Sequence, residues 1–146
     1  MFRTILVSYD GSDHSKNALA TAANVARKYG AVLHLSHTPQ VDTPMVVVGP
    51  FVSHVEVPPT PEQIAEAGQK VTQEAEDNLK SSGGSFAAIH IGDTSPAVDT
   101  LAVADEIEAD LIVMGRRGIG SVRALAFGSV SQAVAHRSKC ACLTVV

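Results

Sequence analysis

The chain is poor in cysteine and in aromatic residues, and it has no long apolar run. Its 146 residues include two cysteines, no tryptophan and only 4% aromatic residues, so a disulfide-rich scaffold is excluded. No apolar run approaches the length of about 18 residues that a membrane span needs. The first apolar stretch, Ile5-Leu6-Val7, is too short for a signal peptide. We therefore expect a cytoplasmic protein that has no membrane partner.

Positive charge is also scarce. The 11 lysines and arginines face 15 aspartates and glutamates, which gives a formal net charge of -4. Such a chain has no long-range attraction for a polyanion, so a nucleic-acid partner is not expected. The 45% of apolar residues and the chain length are typical of one ordinary globular domain, which we place at residues 1–146.

Short apolar strands alternate with helical patterns along the chain. Strands are predicted at 5–7, 31–36, 86–91, 110–114 and 142–146, and helices at 13–29, from 61 to about 80, at 96–107 and at 129–137. This alternation predicts an α/β fold in the form of a single three-layer, Rossmann-like domain. Its five-stranded parallel sheet would carry four helices on its two faces, joined by right-handed crossovers.

Two turns of unusual composition suggest the order of the strands. Asp10-Gly11-Ser12 follows the first strand, and a loop that contains several glycines follows the fourth. Ligands of open parallel sheets bind beyond the carboxyl ends of the strands, where the strand order reverses. We expect the order 3-2-1-4-5, because it brings these two turns side by side.

The loop after the fourth strand has the spacing G-x2-G-x9-G-S, with Gly115, Gly118, Gly128 and Ser129 at its defined positions. Glycine permits positive φ angles and a close backbone approach, so several N–H groups can converge on one anion. The helix predicted to begin at Ser129 adds the free N–H groups and partial positive charge of its N-terminus. The loop therefore predicts a phosphate-binding site.

Side chains near the loop support the same interpretation. The hydroxyls of Ser129 and Ser131 can donate hydrogen bonds, and Arg116, Arg117 and Arg123 place positive charge in an otherwise acidic chain. A triphosphate fits this set of donors. The loop is not a P-loop, since no Gly-Lys-Ser/Thr sequence closes it.

Other chemistries find less support. The segment around Ser129 lacks the second flanking glycine of a hydrolase G-x-S-x-G elbow. His34 and His37 would point to opposite faces of a strand, which argues against a zinc site. Cys140 and Cys142 are expected to pack at the end of a strand rather than perform redox chemistry.

The chain resembles the universal stress protein family, within the wider group of adenine-nucleotide α-hydrolase-like folds. The resemblance covers almost the whole length, and its long glycine motif is similar to that of the ATP-binding subclass. It rests on Ile5-Leu6-Val7-Ser8-Tyr9-Asp10-Gly11-Ser12, on Asp110-Leu111-Ile112-Val113-Met114-Gly115, on the G-x2-G-x9-G-S loop and on His136-Arg137-Ser138-Lys139-Cys140.

The resemblance implies a binding site for an adenine nucleotide. Asp10 would contact the nucleoside, and the backbone near Thr38 would meet adenine. The remaining residues would surround the ribose and the phosphates. The full predicted set is Ser8, Tyr9, Asp10, Thr38, Met114, Gly115, Arg117, Gly118, Gly128, Ser129, Val130 and Ser131.

Asp10 has two possible roles. It could cap the first helix, because Asp is favoured at that position. In a nucleotide site, its carboxylate would be repelled by the phosphates. It would therefore accept hydrogen bonds from ribose hydroxyls or from the adenine amine.

The resemblance also implies partners. A divalent ion, Mg²⁺ or Mn²⁺, would be bound through the phosphates of ATP. A homodimer would form through the last strand, which is predicted to begin at Cys142 and to end at Val146. Pairing there would also cover an apolar edge that is otherwise left open.

We therefore interpret the chain as an ATP-binding stress-response protein that acts as a nucleotide-dependent switch or sensor. At most slow ATP hydrolysis is expected, because no clear base or fixed metal site is present for efficient phosphoryl transfer. The alternatives are a binder of AMP or cyclic AMP, an ATP-dependent transferase of the related fold group, and a purely structural dimer.

Two segments remain open at the sequence level. Residues 38–61 contain six of the seven prolines, and regular structure is not expected there. The apolar pieces within 45–52 could form a flap, a dimer contact or a partner site. The turn that contains Gly92 and Asp93 could either touch the ligand or only shape a loop.

Overall fold

Strands and helices alternate along the chain as the hydrophobic pattern predicts. The computed structural model describes residues 1–41, 45–48, 53–56, 58–119 and 128–146, with the backbone alone at 45–48 and 53–56. The strands are β1 (Thr4–Ser8), β2 (Val32–His37), β3 (Met45–Val48), β4 (Ser53–Glu56), β5 (Ala88–Ile91), β6 (Leu111–Gly115) and β7 (Ala141–Val145). The helices are α1 (Asp13–Tyr29), α2 (Pro61–Ser81), α3 (Pro96–Glu106) and α4 (Ser129–Arg137).

The central sheet has five parallel strands in the order β5-β2-β1-β6-β7. Counted along these five strands, this is the expected order 3-2-1-4-5, and the prediction is confirmed. In the register, Ser8 of β1 lies opposite Ser36 of β2 on one side and Met114 of β6 on the other. The carboxyl ends of the three central strands therefore meet at one edge of the sheet.

Two hydrophobic clusters hold helices on opposite faces of the sheet. Ile5 and Val7 belong to the cluster under α1 and α2, whereas Leu6 belongs to the cluster under α3 and α4. All three side chains are 0% exposed. Because successive side chains of a strand point to opposite faces, the continuous apolar run of β1 supplies both cores. The three-layer prediction is confirmed.

The helix bounds follow from local capping chemistry. Ser12 caps α1 by accepting a hydrogen bond from the Ser15 N–H, and Gly30 ends the helix with a positive φ of 66°. Thr60 and Gln63 form the capping box expected at the start of α2. The Ser12 cap makes α1 begin immediately after the turn that follows β1.

The absence of regular structure predicted for 38–61 is wrong in part. Strands β3 and β4 lie in this segment and pair with each other in antiparallel fashion, apart from the main sheet. The reason is local composition, since β3 consists of methionine and three valines and β-branched residues favour strands. The prolines of the segment lie outside both strands. Phe51 and Val52 lie outside the described residues.

Strand β7 lies at one edge of the sheet and pairs with β6. Leu143 on β7 is 38% exposed, and Val146 just beyond it is 58% exposed.

Across the part of the chain that the structure describes, none of the helices combines the length and apolar character that a bilayer crossing demands.

Candidate functional site

A cavity of about 510 Å³ lies at the carboxyl edge of the sheet. Its wall is formed by the segments that follow β1, β2 and β6, by the first turn of α4, and by parts of α2 and α3. All twelve residues predicted from the sequence line this cavity. That they bind a nucleotide remains a prediction, but the structure brings every one of them to the same place.

Asp10 joins the turn after β1 to the loop after β6. Its Oδ1 accepts hydrogen bonds from the backbone N–H of Ser12 at 3.0 Å and from the Ser12 hydroxyl at 2.6 Å. Its Oδ2 accepts from the backbone N–H of Ile119 at 2.9 Å. Since Ser12 is the residue that caps α1, the capping role considered for Asp10 is wrong.

These contacts leave Asp10 little capacity for a ligand. A carboxylate has about four acceptor positions, and three hydrogen bonds to Asp10 are present. About one position on Oδ2 remains for a further donor. The carboxylate therefore serves first to fix the two loops relative to each other.

The three motif glycines are needed for space rather than for positive φ. None of Gly115, Gly118 and Gly128 has a positive φ, so that part of the expectation is wrong. A Cβ on Gly118 would overlap Oδ2 of Asp10. A Cβ on Gly115 would lie 2.9 Å from the Cβ of His14. The motif therefore allows the loop to lie directly against the turn after β1 and the start of α1.

The first turn of α4 lines the cavity with N–H groups that have no partner within the helix. Gly128 occupies the N-cap position, where the structure shows no side-chain cap. The backbone N–H groups of Ser129, Val130 and Ser131 belong to the first turn, where an α-helix supplies no internal partner. Together with the helix dipole, they form a site that favours an anion.

The two serines of this turn have different roles. The Ser131 hydroxyl is buried and donates to the carbonyl oxygens of Arg116 at 2.8 Å and Gly128 at 3.0 Å. Its proton is therefore used within the loop. Ser129 is exposed, so its hydroxyl is the one that remains for a ligand.

The arginines of the loop are not equivalent. Arg117 lines the cavity, whereas Arg116 contributes mainly through its backbone. The Arg116 N–H donates to the carbonyl of Val145 at 2.7 Å, and its carbonyl accepts from Gly128 at 2.9 Å. These bonds hold the loop between β7 and α4. Arg123 lies outside the described residues.

A second carboxylate supports the segment that follows β2. The Thr38 hydroxyl donates to Oδ2 of Asp99 at 2.7 Å, and the Thr94 N–H donates to the same oxygen at 3.2 Å. A Cβ on Gly92 would overlap this carboxylate. Neither Gly92 nor Asp93 lines the cavity. Their turn therefore supports the wall of the site without lining the cavity.

The sequence interpretation missed His37 as a cavity residue. This side chain is only 4% exposed, and its Nδ1 lies 2.8 Å from the carbonyl oxygen of Tyr9. Burial lowers the pKa of His37, although the Tyr9 carbonyl and the Asp10 carboxylate oppose this effect. The strand was predicted to end at Ser36, one residue too early, so His37 was considered only as a zinc ligand.

Tyr9 is the second buried group on this side of the cavity. Burial raises the pKa of its phenol, and the nearby Glu74 carboxylate raises it further. The Tyr9 backbone is tied to β2 from both directions, because its N–H donates to the Ser36 carbonyl at 2.9 Å and its carbonyl faces His37. The residue before Asp10 is thereby held in place.

The other histidines and the cysteines do not join the site. His34 lies on the other face of β2 from His37, and its Nδ1 is 3.2 Å from Nε2 of His90. Within residues 1–41, 58–119 and 128–146, no three histidine, cysteine or acidic side chains are grouped as metal ligands. Cys140 and Cys142 are free thiols that pack against the core under α3 and α4.

Comparison with known proteins agrees with this architecture. The model of the universal stress protein family matches residues 1–145. The chain belongs to the universal stress protein family. A universal stress protein of Thermus aquaticus, from the 3′ region of a QAH/OAS sulfhydrylase gene, is 37% identical over 99% of both chains. The universal stress protein YxiE of Bacillus subtilis is 30% identical over 99% of both chains.

Solved universal stress proteins share the fold. One of them, described as in complex with cAMP, has a TM-score of 0.72 and 26% identity over 99% of this chain and 97% of the other. A universal stress protein from Archaeoglobus fulgidus has a TM-score of 0.69 and covers 100% of this chain and 94% of that one. The Rossmann-like fold that the resemblance implied is confirmed.

Proposed function

We propose that this universal stress protein binds ATP in the cavity and acts as a nucleotide-dependent switch or sensor in the stress response. The observation that carries the proposal is the order in which N–H donors, a carboxylate and an apolar wall follow one another along the cavity. The N–H groups of α4 lie on the β6 side, Asp10 lies at the end of β1, and a largely apolar wall lies on the β2 side. Phosphates, ribose and base fit these positions in that order.

The sheet supplies the spacing for this arrangement. Neighbouring strands are about 4.8 Å apart, and β1 separates β2 from β6. The ends of β2 and β6 are therefore about 10 Å apart, which is comparable to the reach of a nucleotide from its base to its 5′ phosphate. The base would rest against Pro39, Ala67 and Val71, which line that end.

The phosphates would be bound by main-chain groups and by few side chains. The free N–H groups of α4, the Ser129 hydroxyl and Arg117 are the available donors. A divalent ion such as Mg²⁺ or Mn²⁺ would be held through the phosphate oxygens, because the carboxylate of Asp10 is largely occupied by protein donors. Such an ion would neutralise phosphate charge near Asp10.

A switch fits the cavity better than an efficient enzyme. Rapid phosphoryl transfer needs a group that orients the attacking water or hydroxyl. Asp10 holds two loops together, and His37 lies on the β2 side, away from the N–H groups of α4 that would bind the phosphates. Neither group is placed to orient a nucleophile at the phosphates, so we propose at most slow hydrolysis.

AMP and cyclic AMP form the second candidate ligand class. The solved relative with 26% identity is described as in complex with cAMP. In this chain, the one acceptor position left on Asp10 matches a single hydroxyl donor, which the 2′-hydroxyl of cyclic AMP supplies. The number of phosphates is therefore the quantity that an experiment has to decide.

The test begins with the purified protein. We would denature it, identify any released small molecule by mass spectrometry, and then titrate ATP, AMP and cyclic AMP by calorimetry. ATP is expected to bind most tightly. Gly118→Val is expected to lose at least about tenfold in affinity, equal to about 1.4 kcal/mol, because its side chain would displace Asp10.

Ala102→Val provides the matched control, since Ala102 is exposed on α3 and does not line the cavity. It should bind as the wild type does. Tighter binding of cyclic AMP or AMP would favour the second candidate. Equal ATP binding by Gly118→Val and the wild type would contradict the proposed site.

We also propose that two copies associate through β7. The strand lies at the edge of the sheet, and its exposed Leu143 would be covered by a second copy. An open apolar edge strand is a site for pairing with another chain. A symmetric pair formed in this way is an isologous dimer.

A further inference from the structure

His37 is a buried side chain with one ring nitrogen left unsatisfied. Its Nδ1 lies 2.8 Å from the Tyr9 carbonyl oxygen, which can only accept a hydrogen bond, so Nδ1 carries the proton. In neutral imidazole the other nitrogen, Nε2, is then an acceptor. Nε2 is buried and has no hydrogen-bond partner among the described residues.

The surroundings favour this neutral form. The side chain is 4% exposed, and burial lowers its pKa below the ordinary value of 6.5. At neutral pH the ring is therefore fixed by the Tyr9 carbonyl in a single tautomer, with a lone pair on Nε2. A buried acceptor of this kind is usually paired, either with a protein group or with a bound molecule.

The position of His37 limits the class of donor. It lines the cavity at the end of β2, on the side where Pro39, Ala67 and Val71 form an apolar wall. The phosphate donors of α4 lie on the far side of β1. A ligand group that reaches His37 therefore belongs to the base. Of the common purine substituents at C6, the amine donates hydrogen bonds and the oxo group only accepts them.

We propose that His37 recognises the base, because its Nε2 accepts a hydrogen bond from the exocyclic amine of adenine. The site would thereby select 6-amino purines over 6-oxo purines. This inference rests on the proposed function, because it requires a nucleotide whose base lies on the β2 side. It adds a side-chain contact that determines specificity to a site otherwise built from main-chain groups.

The first test compares AMP with inosine monophosphate, which carries an oxo group in place of the amine. We expect the wild type to prefer AMP by about tenfold or more. His37→Phe keeps a planar ring without an acceptor and should bind both nucleotides with similar, weak affinity. His34→Phe is the matched control on the other face of β2, and it should retain the preference.

The second test uses the wild type alone, so that it does not depend on the folding of His37→Phe. The ¹⁵N resonance of His37 Nε2 should move towards that of a hydrogen-bonded nitrogen when AMP is added. It should not move in this way with purine riboside monophosphate, which lacks any group at C6. This signal reports the contact itself rather than the affinity.

The possible outcomes separate the two proposals. If AMP binds but the Nε2 resonance stays unchanged, or if His37→Phe keeps the wild-type preference for AMP, His37 does not read the base and this inference is overturned. An Nε2 signal that is already hydrogen-bonded in the free protein and is unaffected by AMP would indicate a bound water and would overturn it too. If no adenine nucleotide binds to the wild type, the proposed function itself fails.

Discussion

Two carboxylates that support the loops around the cavity each depend on a glycine. Asp10 fits against Gly118, and Asp99 fits against Gly92, since a Cβ on either glycine would overlap the carboxylate. Each carboxylate accepts hydrogen bonds from two separate segments of chain. At the residue scale, the site is therefore held by acidic groups that cross-link loops, and the glycines provide room for them.

Two histidines, the buried His37 and the half-buried His34, make stability depend on pH. Burial lowers the pKa of His37, and burial together with the neighbouring His90 lowers that of His34, both from 6.5. As the pH falls below about 6.5, the unfolded chain binds more protons than the folded one. The histidine contribution is therefore complete above that pH and is lost towards the lower folded-state values.

We expect the free energy of unfolding in urea to be smaller at about pH 5 than at about pH 7.5. His34→Gln should reduce the difference, because one titrating group is removed. His136→Gln, at an exposed position of α4, should leave it unchanged. An unaltered pH dependence in His34→Gln would show that the His34–His90 contact has no role in it.

At the scale of elements, the two serines in the first turn of α4 should affect different properties, one the stability of the fold and the other the binding of ATP. Ser131→Ala removes the hydroxyl that donates to the Arg116 and Gly128 carbonyls. We expect it to lower the free energy of unfolding by about 1 kcal/mol. Ser129→Ala affects an exposed hydroxyl, so it should weaken ATP binding by severalfold and leave stability nearly unchanged.

Chemical denaturation and calorimetric titration of the two variants would check this pair. The prediction concerns the contrast, because both substitutions are serine to alanine and lie two residues apart on one helix. Stability loss in Ser129→Ala with none in Ser131→Ala would contradict the roles that the structure assigns to the two hydroxyls.

Most elements could be predicted from the sequence, because their signals are local. The caps of α1 and α2 and the continuous apolar run of β1 place these elements without any tertiary information. The sequence did not predict strands β3 and β4, because the prolines of their segment favour irregular structure and only β3 has a run of valines. The prolines lie beside these strands rather than within them.

The site was less predictable than the fold. The glycine spacing identified the loop, and the topology predicted that the turns after β1 and β6 lie side by side, whereas the individual residues of the site followed from the resemblance to the family. The contact between His37 and Tyr9, and that between Thr38 and Asp99, join residues far apart in the chain. No local pattern encodes them, so the sequence could not show which side chains secure the β2 side of the cavity.

At the scale of the whole molecule, the proposed dimer depends on the edge strand β7. We expect the wild type to sediment as a dimer and Leu143→Lys as a monomer, because lysine on an edge strand opposes pairing with another chain. Val32→Lys is the control, as Val32 is 48% exposed but lies on β2, in the interior of the sheet. Sedimentation velocity at several protein concentrations would distinguish the two variants.

A monomeric wild type would contradict the proposed dimer. Dissociation of both lysine variants would instead show that added charge, rather than its position on β7, determines the association.

The wall of the cavity is shared between the two halves of the polypeptide. Asp10 and His37 precede α2, whereas Gly118 and Ser129 follow α3. If the exposed turn between α2 and β5 were cleaved, each fragment would keep only part of the contacts to a nucleotide. The ligand would then hold the two fragments together, and its concentration would determine the fraction of the cleaved protein that reassembles.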